Sequence, residues 1–318
     1  MSRLQNIIPF QFIKTGGAEA MSVYIQKISA AGAFPVIDLE DAYLIPFNKE
    51  ETRKHKERAR NITTMSFREI DASSAKAELC IRVNAYGGTE FMHDIEMLAA
   101  LPVKVKWNSV FLPKAESLSE IEKCGRELKQ KEILFSEIIP VIETAEGLKN
   151  LAEILSRGRT EQFNKIAFGH CDYNLDIVRF PFAHHDSPVY WKTAERIIEA
   201  AYEKEFTYIN SPVLELNNDD LMSAVIERLG DLCREEFGQI TITSRQSALC
   251  SQTSGVSSDI DVTGSERFSS AAEYAEWIIR EYEKNIIPGK SFAVTDGKIL
   301  VSPHEYISAV NYMKDIHN

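Results

Sequence analysis

The chain has few cysteines, and those it has are scattered. Cys80, Cys124, Cys171, Cys233 and Cys250 are five in number and stand 17 or more residues apart. No Cys-x-x-Cys pair exists, which argues against a zinc site or a disulfide framework and for reduced thiols in a cytoplasmic protein. Basic residues are in deficit too: 36 Lys and Arg face 47 Asp and Glu, for a formal net charge of -11. Phosphate-backbone binding needs clustered cations, so no nucleic-acid partner is expected. No apolar run approaches the roughly 20 residues of a membrane-spanning helix, so no membrane partner is expected either. The first residues, Met1 to Phe10, lack the apolar stretch of an export signal, which again favours a cytoplasmic location. No Gly-x-Gly-x-x-Gly follows the first strand, and this weakens a dinucleotide-binding reading.

What remains is an ordinary soluble composition, 44% hydrophobic and 26% charged, over 318 residues. That length holds one barrel with an appendage, or two average domains. Eight β-rich stretches punctuate the first 243 residues: Phe10–Lys14, Phe34–Leu39, Leu79–Val83, Val110–Pro113, Ile138–Ile142, Ile166–Phe168, Phe206–Ile209 and Ile240–Thr243. Segments of helical period separate them. Ala18–Ala31 carries Met21, Tyr24, Ile25 and Ile28 on one face and is stopped by Gly32. Asn48–Asn61 reads as a charged outer helix. Thr89–Ala100, Ser117–Gln130, Ala145–Arg157, Val189–Lys204 and Asn218–Glu236 continue the alternation, and Ser117 with Glu120 forms a capping box. Strands alternating with helices imply a parallel sheet with right-handed crossovers, and eight units favour a closed (β/α)8 TIM barrel over residues 1–250.

Beyond Thr243 the texture changes. Ser251 to Phe268 is rich in Ser, Thr, Gly and Asp and reads as a connector. A helix over Ala271–Glu283, a Pro288-Gly289 turn, a hairpin across Asp296-Gly297 and a last helix from Pro303 follow. Residues 251–318 are too few for a robust domain of their own, which makes them a lid or an arm contacting a neighbouring subunit.

Polar groups at the ends of the strands carry the chemistry, as in barrel enzymes generally. Glu143 follows the fifth strand and Asp172 the sixth, so both carboxylates can meet at one mouth. Two carboxylates completed by water and substrate oxygens suit Mg2+; helix capping or surface exposure is the bland alternative. Arg82 sits in an otherwise apolar strand, and a buried arginine needs a partner. It could grip a substrate carboxylate or an enolate oxygen, or pair with Glu40 or Asp41. Asp38 and Glu40 fall on one strand face, where two acids require a cation. Lys114 is a Schiff-base candidate or a charge partner, the latter favoured beside a metal-type pair. Of the histidines only His170 lies near the site, while His184-His185 reads as a solvent-exposed loop. Gly16-Gly17 could approach a phosphate but more simply makes a tight turn.

Together these residues resemble the HpcH/HpaI aldolase and citrate lyase β-subunit superfamily, in its CitE-like branch. The resemblance is carried by Val36-Ile-Asp-Leu-Glu-Asp-Ala42, Arg82-Val-Asn84, Phe111-Leu-Pro-Lys-Ala-Glu-Ser117, Pro140-Val-Ile-Glu-Thr144, Phe168-Gly169 with Asp172, and the tail Asp296-Gly-Lys298 with Pro303. It implies a Mg2+-dependent carbon–carbon lyase, usually a trimer or hexamer, acting on a β-hydroxy acid or its CoA thioester. Glu143 and Asp172 would be metal ligands, Arg82 would stabilise the enolate, and Glu40 and Asp41 would hold Arg82 and metal-bound water. Asn84 would join Arg82 in binding substrate. In related lyases a neighbouring subunit's tail supplies an acid, and Asp296 is the nearest candidate here.

The chain departs from the pattern in two places. Ile242-Thr-Ser-Arg-Gln246 replaces an Ile-His-Pro-x-Gln stretch, so that Arg245 adds a cation where an anionic substrate would lie. Val301 stands where an Asp is common. Both fall at the acyl end, which leaves the acyl carrier open. A non-catalytic metabolite-binding subunit of a larger complex is the alternative, and phosphotransfer to an enolpyruvate is a weaker third.

Overall fold

Eight parallel strands close into a barrel in strict sequence order, with β1 paired to both β2 and β8. The computed structural model describes residues 6–14, 18–69, 78–233, 236–251 and 268–317. The strands are β1 (Asn6–Lys14), β2 (Phe34–Asp38), β3 (Cys80–Arg82), β4 (Lys106–Leu112), β5 (Leu134–Ile142), β6 (Lys165–Phe168), β7 (Thr207–Asn210) and β8 (Glu236–Thr241). The helices along the barrel are α1 (Ala18–Ala30), α2 (Lys49–Glu69), α3 (Thr89–Ala99), α4 (Leu118–Gln130), α5 (Ala145–Lys149), α6 (Leu151–Ile154), α7 (His170–Asp176), α8 (Pro188–Glu203), α9 (Asp219–Cys233) and α10 (Ser244–Ser251). This is the (β/α)8 barrel that the alternation implied. Gly16-Gly17 and most of the Ser251–Phe268 connector lie outside the described residues.

Alternate strand residues divide between two cores, as a period of two demands. Phe10, Val36, Cys80, Phe111, Val141 and Ile240 fill the barrel interior, where the Phe10 and Phe111 rings meet edge-on at 5.3 Å. Ile37, Ile81, Val110 and Ile142 face the helices instead. Deeper among the interior-facing positions, Glu137 pairs with Lys165 at 2.8 Å and accepts from Ser109 at 2.6 Å. The interior is therefore packed, and a cavity opens at the mouth. There the register aligns Lys14 with Asp38, Asp38 with Arg82, and Arg82 with Phe111, so the charged strand ends share one level.

Several boundaries moved. The segment Asn218–Glu236 ends as a helix at Cys233, and Glu236 already opens β8. Ala145–Arg157 breaks into α5 and α6 at Asn150. Asp172, just past the sixth strand, lies in the first turn of a short helix, α7. The charged helix runs on to Glu69 and buries Ala59, Arg60, Thr63, Ser66 and Phe67, so it is an outer helix on one face only.

The extension consists of α11 (Ala271–Asn285), a hairpin of β9 (Ala293–Thr295) and β10 (Ile299–Val301), and α12 (Pro303–His317). Its small core includes Ala275, Ile278, Tyr282, Ala293, Val301 and Ala309. The extension packs against its own barrel. The Leu216 N–H donates to the Lys298 carbonyl and the Leu300 N–H to the Leu214 carbonyl, fastening the hairpin to the segment after β7. Ser291 donates to the Ala42 carbonyl at 2.7 Å, just past β2. Among the described residues no helix is long and apolar enough to cross a membrane.

Candidate active site

Arg82 is the inward residue that ends β3, and its guanidinium is fully occupied on one edge. Asp38 accepts from Nε at 2.8 Å and from Nη2 at 2.7 Å, the two-bond fork that suits arginine to carboxylates. Asp38 is fixed in turn by the backbone N–H groups of Glu40 and Ala42. Nη1 of Arg82 reaches Asp41 at 2.7 Å and Glu40 at 3.2 Å, and the Phe12 ring lies 5.1 Å from the guanidinium carbon. Glu40 and Asp41 thus both touch Arg82, while the two-bond grip belongs to Asp38.

The opposite side of the mouth is built around Lys114. Its Nζ lies 2.6 Å from Glu40, 2.9 Å from Asp172 and 3.8 Å from Glu143. Its backbone is in the left-handed region, φ 53°, which costs a side-chain-bearing residue energy and places its N–H 2.9 Å from Glu143 Oε1. Glu143 can stand where it does because residue 169 is glycine: a Cβ there would come within 2.2 Å of Glu143 Oε2. From above, His304 at the start of α12 inserts Nε2 between Asp41 Oδ1 at 3.4 Å and Asp172 Oδ2 at 3.2 Å.

Burial raises Glu143, and Asp172 beside it adds to the rise, so its carboxyl lies well above the ordinary range. Glu40 is raised by burial and by Asp41. Asp41 and Asp172 move the other way. Burial opposes their charge, yet Arg82 and His304 hold Asp41 well below the usual carboxylate range, and His304 with Lys114 lowers Asp172. Burial likewise disfavours the three cations, but the facing carboxylates outweigh it: Asp38 and Asp41 at Arg82, Asp172 and Glu40 at Lys114, Asp172 and Asp41 at His304.

Five carboxylates (Asp38, Glu40, Asp41, Glu143 and Asp172) therefore pair with three cationic side chains, which leaves the ion-paired cluster two positive charges short, with Lys14 acting on it only through its Asp38 edge. Buried charge without compensation is costly. Protonation of Glu143 relieves half of the deficit, and one divalent cation relieves all of it. Glu40 Oε2 is moreover buried with no hydrogen bond of good geometry, its one close cation being Arg82 Nη1 at 3.2 Å. The donor set thus fits Mg2+, which binds through one or two carboxylates and keeps several waters. Glu143, Asp172, Asp41, Arg82, His304 and Lys14 are among the residues lining the cavity of about 400 Å³ above this cluster.

Other expected site residues are elsewhere. Asn84 is 3% exposed and donates to the Leu39 carbonyl and to Asp94, while Lys56 donates to its oxygen. It pins the loop after β3 and does not line the cavity. Arg245 points outward at the start of α10, forked onto Asp219 at 2.7 and 2.5 Å. Asp296 is exposed at the tip of the β9–β10 hairpin, with φ 43° beside Gly297 at φ 69°. The His184-His185 expectation needs correction. His185 is 2% exposed, its ring 4.2 Å from Tyr190, because the loop ending at Pro188 folds under α8. His184 bridges His170 and Glu305 at 3.1 and 3.0 Å. His304 went unremarked in the sequence, where only the neighbouring Pro303 drew notice. Nothing in its spacing from the strands ties it to their ends.

A model of the family described as HpcH/HpaI aldolase/citrate lyase matches residues 17–228. No curated protein matches. Among solved structures, RipC from Yersinia pestis superposes with a TM-score of 0.58 at 19% identity, covering 79% of this chain and 96% of that one. A citrate lyase β subunit from M. tuberculosis, solved with oxaloacetate and magnesium, gives 0.57 at 20% identity over 78% and 96%. CitE from Mycobacterium tuberculosis, in complex with magnesium, acetoacetate and coenzyme A, gives 0.57 at 16% identity over 100% of both chains. At these identities the structural likeness speaks for the fold.

Proposed function

Because this chain belongs to the HpcH/HpaI aldolase/citrate lyase family, we propose that it is a Mg2+-dependent carbon–carbon lyase. Its substrate would be a β-hydroxy acid or the CoA thioester of one, cleaved through an enolate. The observation that carries this reading is the two-charge deficit among buried carboxylates directly beside a fixed arginine.

Glu143 and Asp172 would hold the ion. Mg2+ when bound supplies Lewis-acid polarisation of substrate oxygens and charge stabilisation. The rest falls to the chain's own groups. Asp38 grips Arg82 by Nε and one Nη2 hydrogen, so the guanidinium is preorganised and keeps N–H capacity toward the cavity. As the bond breaks, charge grows on the enolate oxygen, and a donor that is already oriented costs no reorganisation. Glu40 and Asp41 keep Arg82 charged and in place. Lys114 neutralises the carboxylates from the side and holds Glu143 by its backbone N–H. The packed interior below and the extension above limit water at the reacting atoms. Asp296, exposed on its hairpin, would serve as the acid only for a neighbouring copy's mouth, in a homotrimer or homohexamer. Arg245 and Asn84 would contribute to substrate binding only by leaving Asp219 and Asp94.

The test is keto-acid release from a panel of CoA thioesters and free β-hydroxy acids. Activity on at least one should vanish with EDTA, return with Mg2+, and be absent from Glu143→Ala. A Glu143→Ala protein fully active with EDTA present would overturn the proposal. Metal binding without turnover of any substrate would replace it with the non-catalytic metabolite-binding subunit.

A further inference from the structure

We propose that Asp41, Asp172 and His304 form a mixed oxygen–nitrogen site for a borderline divalent transition ion, so that the extension carries a metal ligand to its own barrel. The inference rests on reading the mouth as metal-dependent, but it names a donor set that shares only Asp172 with the Glu143–Asp172 pair.

The three donor atoms all lie within 4.8 Å of one another. The ion would take the place of the Nε2 proton that His304 shares with the two aspartates, and that proton is released on binding. Two ligands bound at right angles to one ion at about 2.1 Å stand about 3 Å apart. Nε2 of His304 lies 3.4 Å from Asp41 Oδ1 and 3.2 Å from Asp172 Oδ2, close to that spacing. The oxygens involved are the ones left over. Asp41 gives Oδ2 to Arg82, and Asp172 gives Oδ1 to Lys114, so each carboxylate turns its second oxygen to the imidazole.

His304 is also held in place. Ser302 Oγ accepts from Glu305 N at 3.1 Å and caps the first turn of α12. Glu305 is gripped by His184 at 3.0 Å and by Tyr274 at 2.6 Å. Ser291 ties the extension to Ala42, next to Asp41 itself. A ligand locked by its surroundings binds with little ordering cost. The ion class follows from the donors. Imidazole nitrogen suits Co2+, Zn2+, Fe2+ and Ni2+, whereas an all-oxygen set suits Mg2+. The mouth thus offers two overlapping donor sets with different preferences, one made by the barrel alone and one completed by the tail.

The full-length protein, stripped with chelator, is titrated calorimetrically with Co2+ and with Mg2+, alongside His304→Gln and Glu143→Gln. Pulsed EPR of the wild type loaded with one equivalent of Cu2+ reports nitrogen ligation without recourse to any variant. The expected result is nitrogen coupling in the wild type and at least about tenfold weaker Co2+ binding in His304→Gln, with Mg2+ binding not weakened. Absence of nitrogen coupling, together with Co2+ affinity unchanged in His304→Gln, overturns the inference. If Glu143→Gln then loses Mg2+, the lyase reading survives that outcome. If the wild type binds neither ion, both fall.

Discussion

At the scale of single residues, the mouth is a set of mutual dependences. Lys114 accepts an unfavourable backbone angle so that its N–H and its ammonium both meet acids. Gly169 gives up a side chain so that Glu143 can occupy the space next to it. A methyl group at position 169 would sit 2.2 Å from Glu143 Oε2, 2.8 Å from its Cβ and 3.1 Å from Val141 Cγ1. Overpacking of this kind typically costs about 1–3 kcal/mol. Gly169→Ala is therefore expected to keep the fold, with a lower urea midpoint, and to lose at least about tenfold in Mg2+ affinity as Glu143 is pushed aside. Calorimetric titration beside a denaturation curve checks both halves. Unchanged Mg2+ binding would remove Glu143 from the ion's ligands.

At the scale of elements, the segment that leads into α8 shows how a polar loop becomes part of the core. His185 meets Asn210 at 3.2 Å, Asn210 accepts from the Tyr190 hydroxyl at 2.6 Å and donates to Gln239 at 2.9 Å, so α8, β7 and β8 share one buried network. Burial, helped by His184, pushes the His185 imidazole down from 6.5 to about 3. Between those values the unfolded chain takes up a proton that the folded chain refuses. Stability is then complete above about pH 6.5 and falls as pH drops through that window, by up to about 1.4 kcal/mol per pH unit from this group. A His185→Gln protein should start less stable at pH 7 but lose less between pH 6 and 4, as read from urea midpoints. Parallel curves for the two proteins would show that His185 is not the group responsible.

At the scale of the whole molecule, an acidic chain gathers five carboxylates where strand ends and extension converge. A ligand that binds only the folded state stabilises it by mass action, about 2.7 kcal/mol at one hundred times its dissociation constant. For a protein of this size that is roughly 4 °C in Tm. Calorimetric scans should show Tm rising by that order when Mg2+ replaces EDTA, and no rise in Asp172→Asn. Equal shifts in the two proteins would place the stabilising ion elsewhere.

How much of this was legible from the sequence differs by feature. The barrel could be read because the alternation of strand and helix is local, and because inward residues such as Val36 and Cys80 repeat at a fixed period. Glu143, Asp172 and Arg82 could be read because a parallel barrel puts the ends of all its strands on one rim, whatever the details. Asn84 and Arg245 share that position in the chain, but their side chains found other partners, Asp94 and Asp219, and a strand-end position does not tell which neighbour lies nearer. Asp38 was visible as an inward acid, whereas its two-bond hold on Arg82 depends on the β2–β3 register. His304 is the clearest case. It lies 132 positions beyond Asp172 in a segment with no periodic tie to the barrel, and only the docking of the extension puts its ring between two aspartates. The sequence by itself determined the barrel and the charges around its mouth, because both follow from local periodicity. Which of those charges meet, and which is reached by a residue from the tail, only the tertiary structure decided, because long-range contacts depend on packing between segments that no local pattern relates.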